Sequence, residues 1–462
     1  MEAVTLKLQT GDKRPLYEQI YRYFIGEMES GRLKEGEKLP SKRALCAALG
    51  VSQSTVETAY GMLTAEGYLR AVPKSGYYVS AALARSVPAG ELRPPAGAED
   101  LPPQPPRFDF STGAVDTSLF PYASWARISR EVISRDPQLL QRGEAEGDRS
   151  FRETLTVFLR EYRGVRCEAD QIVVGAGIEY LLSVVVRLLP EKAVYAVEDP
   201  GYGALHRVLS SHGRSICPIP LDDEGMDEAA LRRSGANVAC VTPSHQFPMG
   251  VTMPVGRRSR LLYWAEEAED RYLIEDDYDS EFRYASRPIP AMQGMDGGGK
   301  VIYVGTFSRS VAPGIRVAYL VLPRSLIGRY REIFGYGAST VSRFEQQTLR
   351  LFIQRGLYSR HLRRSVNLYR KKQERLLEEL RALPGAETRG TEAGLHFLLT
   401  VPGKDEKWLA ARAAQADIPL RGLSAYCLGK PPLLGTVVVG FAGLKTEEIP
   451  AAARALTEAF TE

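Results

Sequence analysis

The sequence predicts a multidomain protein in which a small N-terminal α+β unit of helix-turn-helix type precedes a large α/β domain on a mostly parallel sheet. Three observations lead there. Apolar residues recur at four-residue spacing near the start of the chain, in Leu16, Ile20, Phe24 and Met28. Prolines then crowd one stretch, residues 81–106, and from Phe108 onward short β-branched runs alternate with helix-length amphipathic segments. A chain of 462 residues also exceeds what one ordinary core accommodates, so several compact units are expected.

The first stripe describes a helix with one apolar face. Gly31 and Gly36 end it, and Ser41 is placed to cap a second helix with Ala44, Leu45 and Ala48 as its inner face. Gly50 stops that helix and Ser52 caps a third, whose buried face is Val56, Tyr60 and Leu63. Two short helices joined at Gly50-Val51 have helix-turn-helix geometry. Tyr68–Val72 and Tyr77–Val79 read as two strands around a tight turn, Pro73-Lys74-Ser75-Gly76, which makes a wing. Residues 81–106, rich in proline, form an extended linker. The boundaries expected are therefore 1–80, 81–106 and 107–462. In the last segment Gln171–Val174, Ala193–Val197, Val238–Val241, Tyr272–Glu275, Val301–Val304 and Val317–Leu322 are the expected strands.

Composition is that of an ordinary globular chain, with 44% hydrophobic and 25% charged residues. A net charge of +4 does not by itself announce a nucleic-acid partner, so that claim needs local pattern. The five cysteines are scattered without metal-type spacing, which argues against a zinc site or disulfide framework and for reduced thiols. No apolar run approaches the roughly 20 residues of a membrane span. The opening Met1-Glu2-Ala3-Val4 lacks the pattern of a secretory leader. No membrane partner and a cytoplasmic location are the expectations.

On the third helix Gln53, Ser54, Thr55 and Thr58 present short polar groups able to reach base edges and phosphates. Lys42, Arg43 and Lys74 are positioned for the phosphate backbone. The same three-helix pattern also serves protein-interaction modules, with those cations as solvated surface charge. The run LPSKRALCAALGVSQSTVETAYGMLTAEGYLRAVPKSGYYV, with PLYEQIYRYF before it, resembles the GntR-type winged helix-turn-helix along its whole length. That resemblance implies double-stranded DNA as partner, at an operator near its own or a neighbouring gene. It assigns contacts to Ser41, Arg43, Ser52, Gln53, Ser54, Thr55, Lys74 and Gly76. Gln53 stands where that family often has arginine, which favours adenine over guanine.

Three clusters in the large domain carry chemistry. Val173–Glu179 runs from strand to helix through Gly175-Ala176-Gly177, a turn able to hold phosphate or merely to pack. Tyr272–Asp279 ends a strand in carboxylates and Tyr278, where α/β sheets bind ligands, or where an acidic turn is simply solvated. Val301–Ser310 with Pro313–Arg316 sets hydroxyls and arginines after a strand, as an anion site or a surface loop. With RGEAEGDRSFRE, EDPGYGA, TPSHQFPMGVTMP and YVGTFSRSVAPGIRVAYLVLP, these resemble the fold type I pyridoxal 5′-phosphate (PLP) aminotransferases, and the MocR/GabR-type regulators in particular.

The resemblance implies aminotransferase fold type I with a smaller C-terminal α+β subdomain, a homodimer, and a small-molecule effector, PLP or an amine. It places Asp276 on the pyridinium nitrogen, Tyr278 on the ring hydroxyl and Tyr202 in a stack on the ring. Thr306, Ser308, Arg316 and the amides of Ala176 and Gly177 would hold the phosphate, with His245 beside the ring; as a lone histidine it reads equally as a structural one.

Arg309 stands where that family has its Schiff-base lysine. A guanidinium stays protonated at physiological pH and does not form that imine. The resemblance also implies a phosphate-touching tyrosine near Arg142 and carboxylate-binding arginines at or near Ala204 and near Val438, none of which is present there. Several departures together favour a chain that has given up covalent PLP over one in which the lysine alone was exchanged. The expectation is a DNA-binding regulator that senses PLP or another anionic ligand without turnover. The alternatives are an active aminotransferase with an appended DNA module, and a large domain that is purely structural.

Overall fold

The computed structural model describes residues 6, 8, 9, 14–80, 106–284 and 289–461. The chain divides into two compact units, residues 1–103 and 104–462. Most of the expected linker lies outside the described residues.

In the first unit, helices α1 (Leu16–Glu29), α2 (Lys42–Leu49) and α3 (Gln53–Ala65) precede an antiparallel hairpin of β1 (Leu69–Val72) and β2 (Gly76–Val79). Ile20, Phe24 and Met28 of α1 meet Val56, Ala59, Tyr60 and Leu63 of α3 in one buried cluster, as the periodicity predicts, whereas Leu16, the first residue of the expected stripe, is half-buried and outside it. Helix α2 corrects the expectation. Leu45 is its buried residue, Cys46 and Leu49 pack against the cluster, and Ala44 and Ala48 are exposed. Eight residues present one narrow face, and the i, i+4 pair of larger side chains claims it. The hairpin has a further pairing that local pattern did not show: Lys38 bridges Tyr78, and the Leu39 amide donates to the Tyr77 carbonyl at 2.9 Å.

In the second unit, a mixed sheet of eight strands has the order β3 (Ile172–Gly175), β10 (Ala318–Val321), β9 (Val301–Thr306), β8 (Tyr272–Asp277), β7 (Val238–Val241), β4 (Val194–Asp199), β5 (Ser215–Asp222) and β6 (Gly225–Met226). Strands β9, β8, β7, β4 and β5 are parallel; β10 is antiparallel to both neighbours. Only residues 307–317 join β9 to β10, too short for a helical crossover, so the chain must reverse. The sequence reading missed β5, whose Pro218 and Pro220 argue against a central strand. It lies near the edge, where the two-residue β6 is its outer neighbour.

Helices cover both faces of the sheet. Leu181, Leu182 and Val185 of the helix Ile178–Leu188, with Leu326 and Tyr330 of the helix Arg324–Phe334, pack on Val173, Tyr195, Ile302 and Val304. Leu261, Leu262 and Trp264 of the helix Val255–Glu266 pack on Ala239, Val241 and Leu273. A 24-residue helix, Leu357–Leu380, leads to the expected smaller C-terminal subdomain. There β11 (Glu387–Arg389), β12 (His396–Thr400), β14 (Thr436–Gly440) and β13 (Arg421–Gly422) form an antiparallel sheet in that order. Among the described residues no helix is long and apolar enough to cross a membrane.

Candidate functional site

In the N-terminal unit, local capping orients the polar face of α3. Ser52 Oγ accepts from the Thr55 amide at 3.3 Å and lies 2.9 and 2.8 Å from the hydroxyls of Ser54 and Thr55. Ser41 Oγ accepts from the Ala44 amide at 3.2 Å. Ser41 and Ser52 therefore satisfy helix N-termini first. Gln53 and Ser54 are exposed, and Thr55 is half-buried. Gln53 Nε2 donates to Glu57 Oε1 at 3.1 Å, and Lys42 Nζ reaches the same oxygen at 3.2 Å. Glu57, which sequence reasoning passed over, is one helical turn beyond Gln53 on the same face. Its carboxyl is held below the usual range by Gln53 first and Lys42 second. Lys42 is thus partly neutralised, whereas Arg43 and Lys74 are exposed and carry no ion pair among the described residues. Lys74 sits at the wing tip with φ 61°, and Gly76 follows with φ 131°.

The second site is a cavity of about 250 Å³ in the large unit, a little below the roughly 300–1,000 Å³ of small-ligand pockets. It gathers Asp276 from the end of β8, Thr306 from the end of β9, then Tyr278, Ser308, Arg309 and Arg316, with Tyr202 across it. Residues 112–113, Ile178, Glu179, Thr242, Phe247 and Pro313 complete the lining. No motif pointed to Thr112 and Gly113, which arrive from far away in the chain. An adjoining cavity of about 200 Å³ shares Tyr202, Thr242 and Asp276.

Asp276 is the most informative residue in it. Its Oδ1 is buried without a hydrogen-bond partner. Burial first, and the charges of Asp277 and Asp279 next, push its carboxyl well above the usual carboxylate range. A protonated ring nitrogen would supply both the missing partner and the missing charge. Thr306 Oγ1 donates to Ser308 Oγ at 2.9 Å and accepts from the Ser308 amide at 3.1 Å. Arg316, at φ 50°, extends over the start of the helix Ile178–Leu188 to Glu179 Oε2 at 3.2 Å.

Two expectations about the cavity need correction. The Ala176 amide is taken by Thr340 Oγ1 at 2.9 Å and the Gly177 amide by the Gly175 carbonyl at 2.9 Å. From the first turn of the helix, Ile178 and Glu179 line the cavity. His245 is 2% exposed and lies behind Tyr278 instead of lining the pocket. Its Nδ1 sits 2.9 Å from Asp279 Oδ2 and 3.1 Å from the Tyr278 hydroxyl. His396 of β12 packs against it at 4.9 Å between ring centres, a contribution of the C-terminal sheet that no motif signalled.

Arg142 is exposed and donates to the Tyr336 carbonyl. Ala204 is buried, and Val438 packs on Leu398 and Leu423. The cations lining the main cavity are Arg309 and Arg316.

Fold and cavity together define a DNA-binding winged helix-turn-helix followed by a domain of the PLP-aminotransferase fold. Residues 16–79 match the model of the gntR family of bacterial regulatory proteins. The probable rhizopine catabolism regulatory protein MocR of Rhizobium meliloti is 31% identical, over 96% of this chain and 94% of its own. The pyridoxine biosynthesis transcriptional regulator PdxR of Corynebacterium glutamicum is 32% identical over 92% and 91%. The second unit resembles the kynurenine aminotransferase of Pyrococcus horikoshii with a TM-score of 0.69 and 26% identity, covering 77% of this chain and 90% of that one. The chain belongs to the MocR-type transcriptional regulators of the GntR family.

Proposed function

We propose that residues 1–80 grip an operator while residues 107–462 form a homodimeric effector domain. Its cavity holds PLP, or a small anion of the same class, reversibly and without transamination. Two linked heads then read two half-sites. Ligand acts through its difference in affinity between two dimer arrangements.

The observation that carries this reading is Arg309 in the cavity with Asp276, Tyr278, Thr306, Ser308 and Arg316, and no lysine among the lining residues. The orphaned Oδ1 of Asp276 supports a ring nitrogen as its partner. Thr306, Ser308 and Arg316 suit a phosphate, Tyr278 a ring hydroxyl, and Tyr202 the face of the ring. Bound PLP acts as an electron sink only once an amine is joined to it; here the chain's own part is limited to holding and orienting the ring. PdxR is named for pyridoxine biosynthesis, which agrees with a vitamer as ligand.

The test is a titration of dialysed full-length protein with PLP, followed by operator binding with and without it. Saturable, dialysable binding that alters DNA affinity is expected. Release of an oxo acid from amino acids in the presence of PLP would overturn the non-enzymatic reading. No thermal shift with PLP or any amine would leave the large domain as a scaffold and reject ligand sensing.

A further inference from the structure

We propose that Arg309 makes the cavity selective for a ligand with a hydrogen-bond acceptor at each end. The ligand carries a phosphate at one end and, where the family's imine would form, a carboxylate or carbonyl acceptor facing the guanidinium. A ligand with an ammonium group there is rejected. This deepens the reading of the cavity as a site for an aromatic phosphate and rests on it.

The two cations of the cavity are in different states. Arg316 has Glu179 at 3.2 Å. Arg309 has no carboxylate within ion-pair distance among the described residues, and its hydrogen bond to the Ala114 carbonyl is a long one, 3.4 Å. It is half-buried, so water does not replace a carboxylate partner in full. Its charge is felt by the rings around it: burial raises the hydroxyls of Tyr202 and Tyr278, and Arg309 opposes that rise in both.

Ala204 and Val438, which by the resemblance stand at or near the places of the family's carboxylate-binding arginines, carry no charge. Of the two cations that line this cavity, Arg309 is thus the one an acid group on the ligand finds without a carboxylate partner among the described residues. A guanidinium presents a fixed donor fork that matches a carboxylate bidentately and cannot shed its charge. Against an ammonium it offers only repulsion. The exchange of lysine for arginine thus converts a nucleophile into an acceptor-selective anchor.

The experiment uses dialysed full-length protein and three probes that share the phosphate and the ring: 4-pyridoxic acid 5′-phosphate, PLP and pyridoxamine 5′-phosphate. Dissociation constants come from calorimetry. The acid is expected to bind tightest and the amine weakest, by about tenfold or more between them, as a single charge-assisted hydrogen-bonded pair allows. Arg309→Gln is expected to collapse that spread while the melting transition stays cooperative. Arg309→Lys is a second variant, which keeps a cation and should let borohydride fix PLP to the protein. Equal or tighter binding of the amine by the native protein would overturn the selectivity and leave the pocket reading standing. If no probe binds, the pocket reading falls and the selectivity with it.

Discussion

A β-carbon at residue 177 would lie 2.2 Å from an Arg316 Nη2, so Gly177 is what lets that guanidinium cross the start of the helix Ile178–Leu188. Its φ of +95° independently disfavours any other residue. Gly177→Ala should cost about 1–3 kcal/mol of stability through backbone strain, and weaken anion binding by displacing Arg316. Thermal melts and PLP titration measure both. Native affinity in the variant would mean that Arg316 does not hold the ligand.

The large unit should lose stability as pH rises from about 4.5 to 8. Burial pushes the carboxyls of Glu198 and Glu275 up to about 7 and that of Glu281 up to about 8. A raised carboxyl pKa means the folded state holds its proton more tightly than the unfolded chain. The resulting stabilisation is complete below the unfolded value and disappears through the folded one. Urea midpoints should therefore be higher at pH 5 than at pH 8. Glu281→Gln should flatten the slope, and an unchanged slope would remove Glu281 from this account.

Arg309→Lys should restore covalent capture of PLP, because it returns an amine able to deprotonate to the end of β9. The check is absorbance that persists through dialysis and is fixed by borohydride. A variant that remains colourless would show that further residues of the cavity, and not the missing amine alone, prevent attachment.

Arg43→Ala and Lys74→Ala should each weaken operator binding on all sequences and reduce the slope of log affinity against log salt by roughly 0.9 for each phosphate no longer neutralised. Lys42→Ala should do less, since Glu57 already draws on its charge at 3.2 Å. Anisotropy titrations at three salt concentrations distinguish these outcomes. A greater weakening from Lys42→Ala than from Arg43→Ala would reverse the assignment.

Gln53→Arg should shift base preference from adenine towards guanine, worth about 1–3 kcal/mol at the base it reads. Operator selection from a randomised pool reads this directly. An unchanged preference would take Gln53 off the base edges.

Much of this was legible along the chain because the relevant physics is local. Ser41 and Ser52 cap helices whose amides lie three residues on, and the α1 stripe needs only helical periodicity. The ends of β8 and β9 carry Asp276 and Thr306 because parallel strands present their carboxyl ends on one side. Where local pattern misled, a competing interaction decided. Two prolines disguised β5, and larger neighbours displaced Ala44 and Ala48 from the face of α2.

Sequence alone determined the family, the order of its two units and the presence of an arginine at position 309, since these reside in residue identity and short spacing. Tertiary structure decided the condition of the site. It gave the Ala176 amide to Thr340, 164 residues away, and set His245 between Asp279 and His396 behind Tyr278. It also enclosed Asp276 Oδ1 without a partner and pushed that carboxyl towards the protonated form. Desolvation and charge coupling act through space, and the groups that exert them meet only once distant strands are brought together.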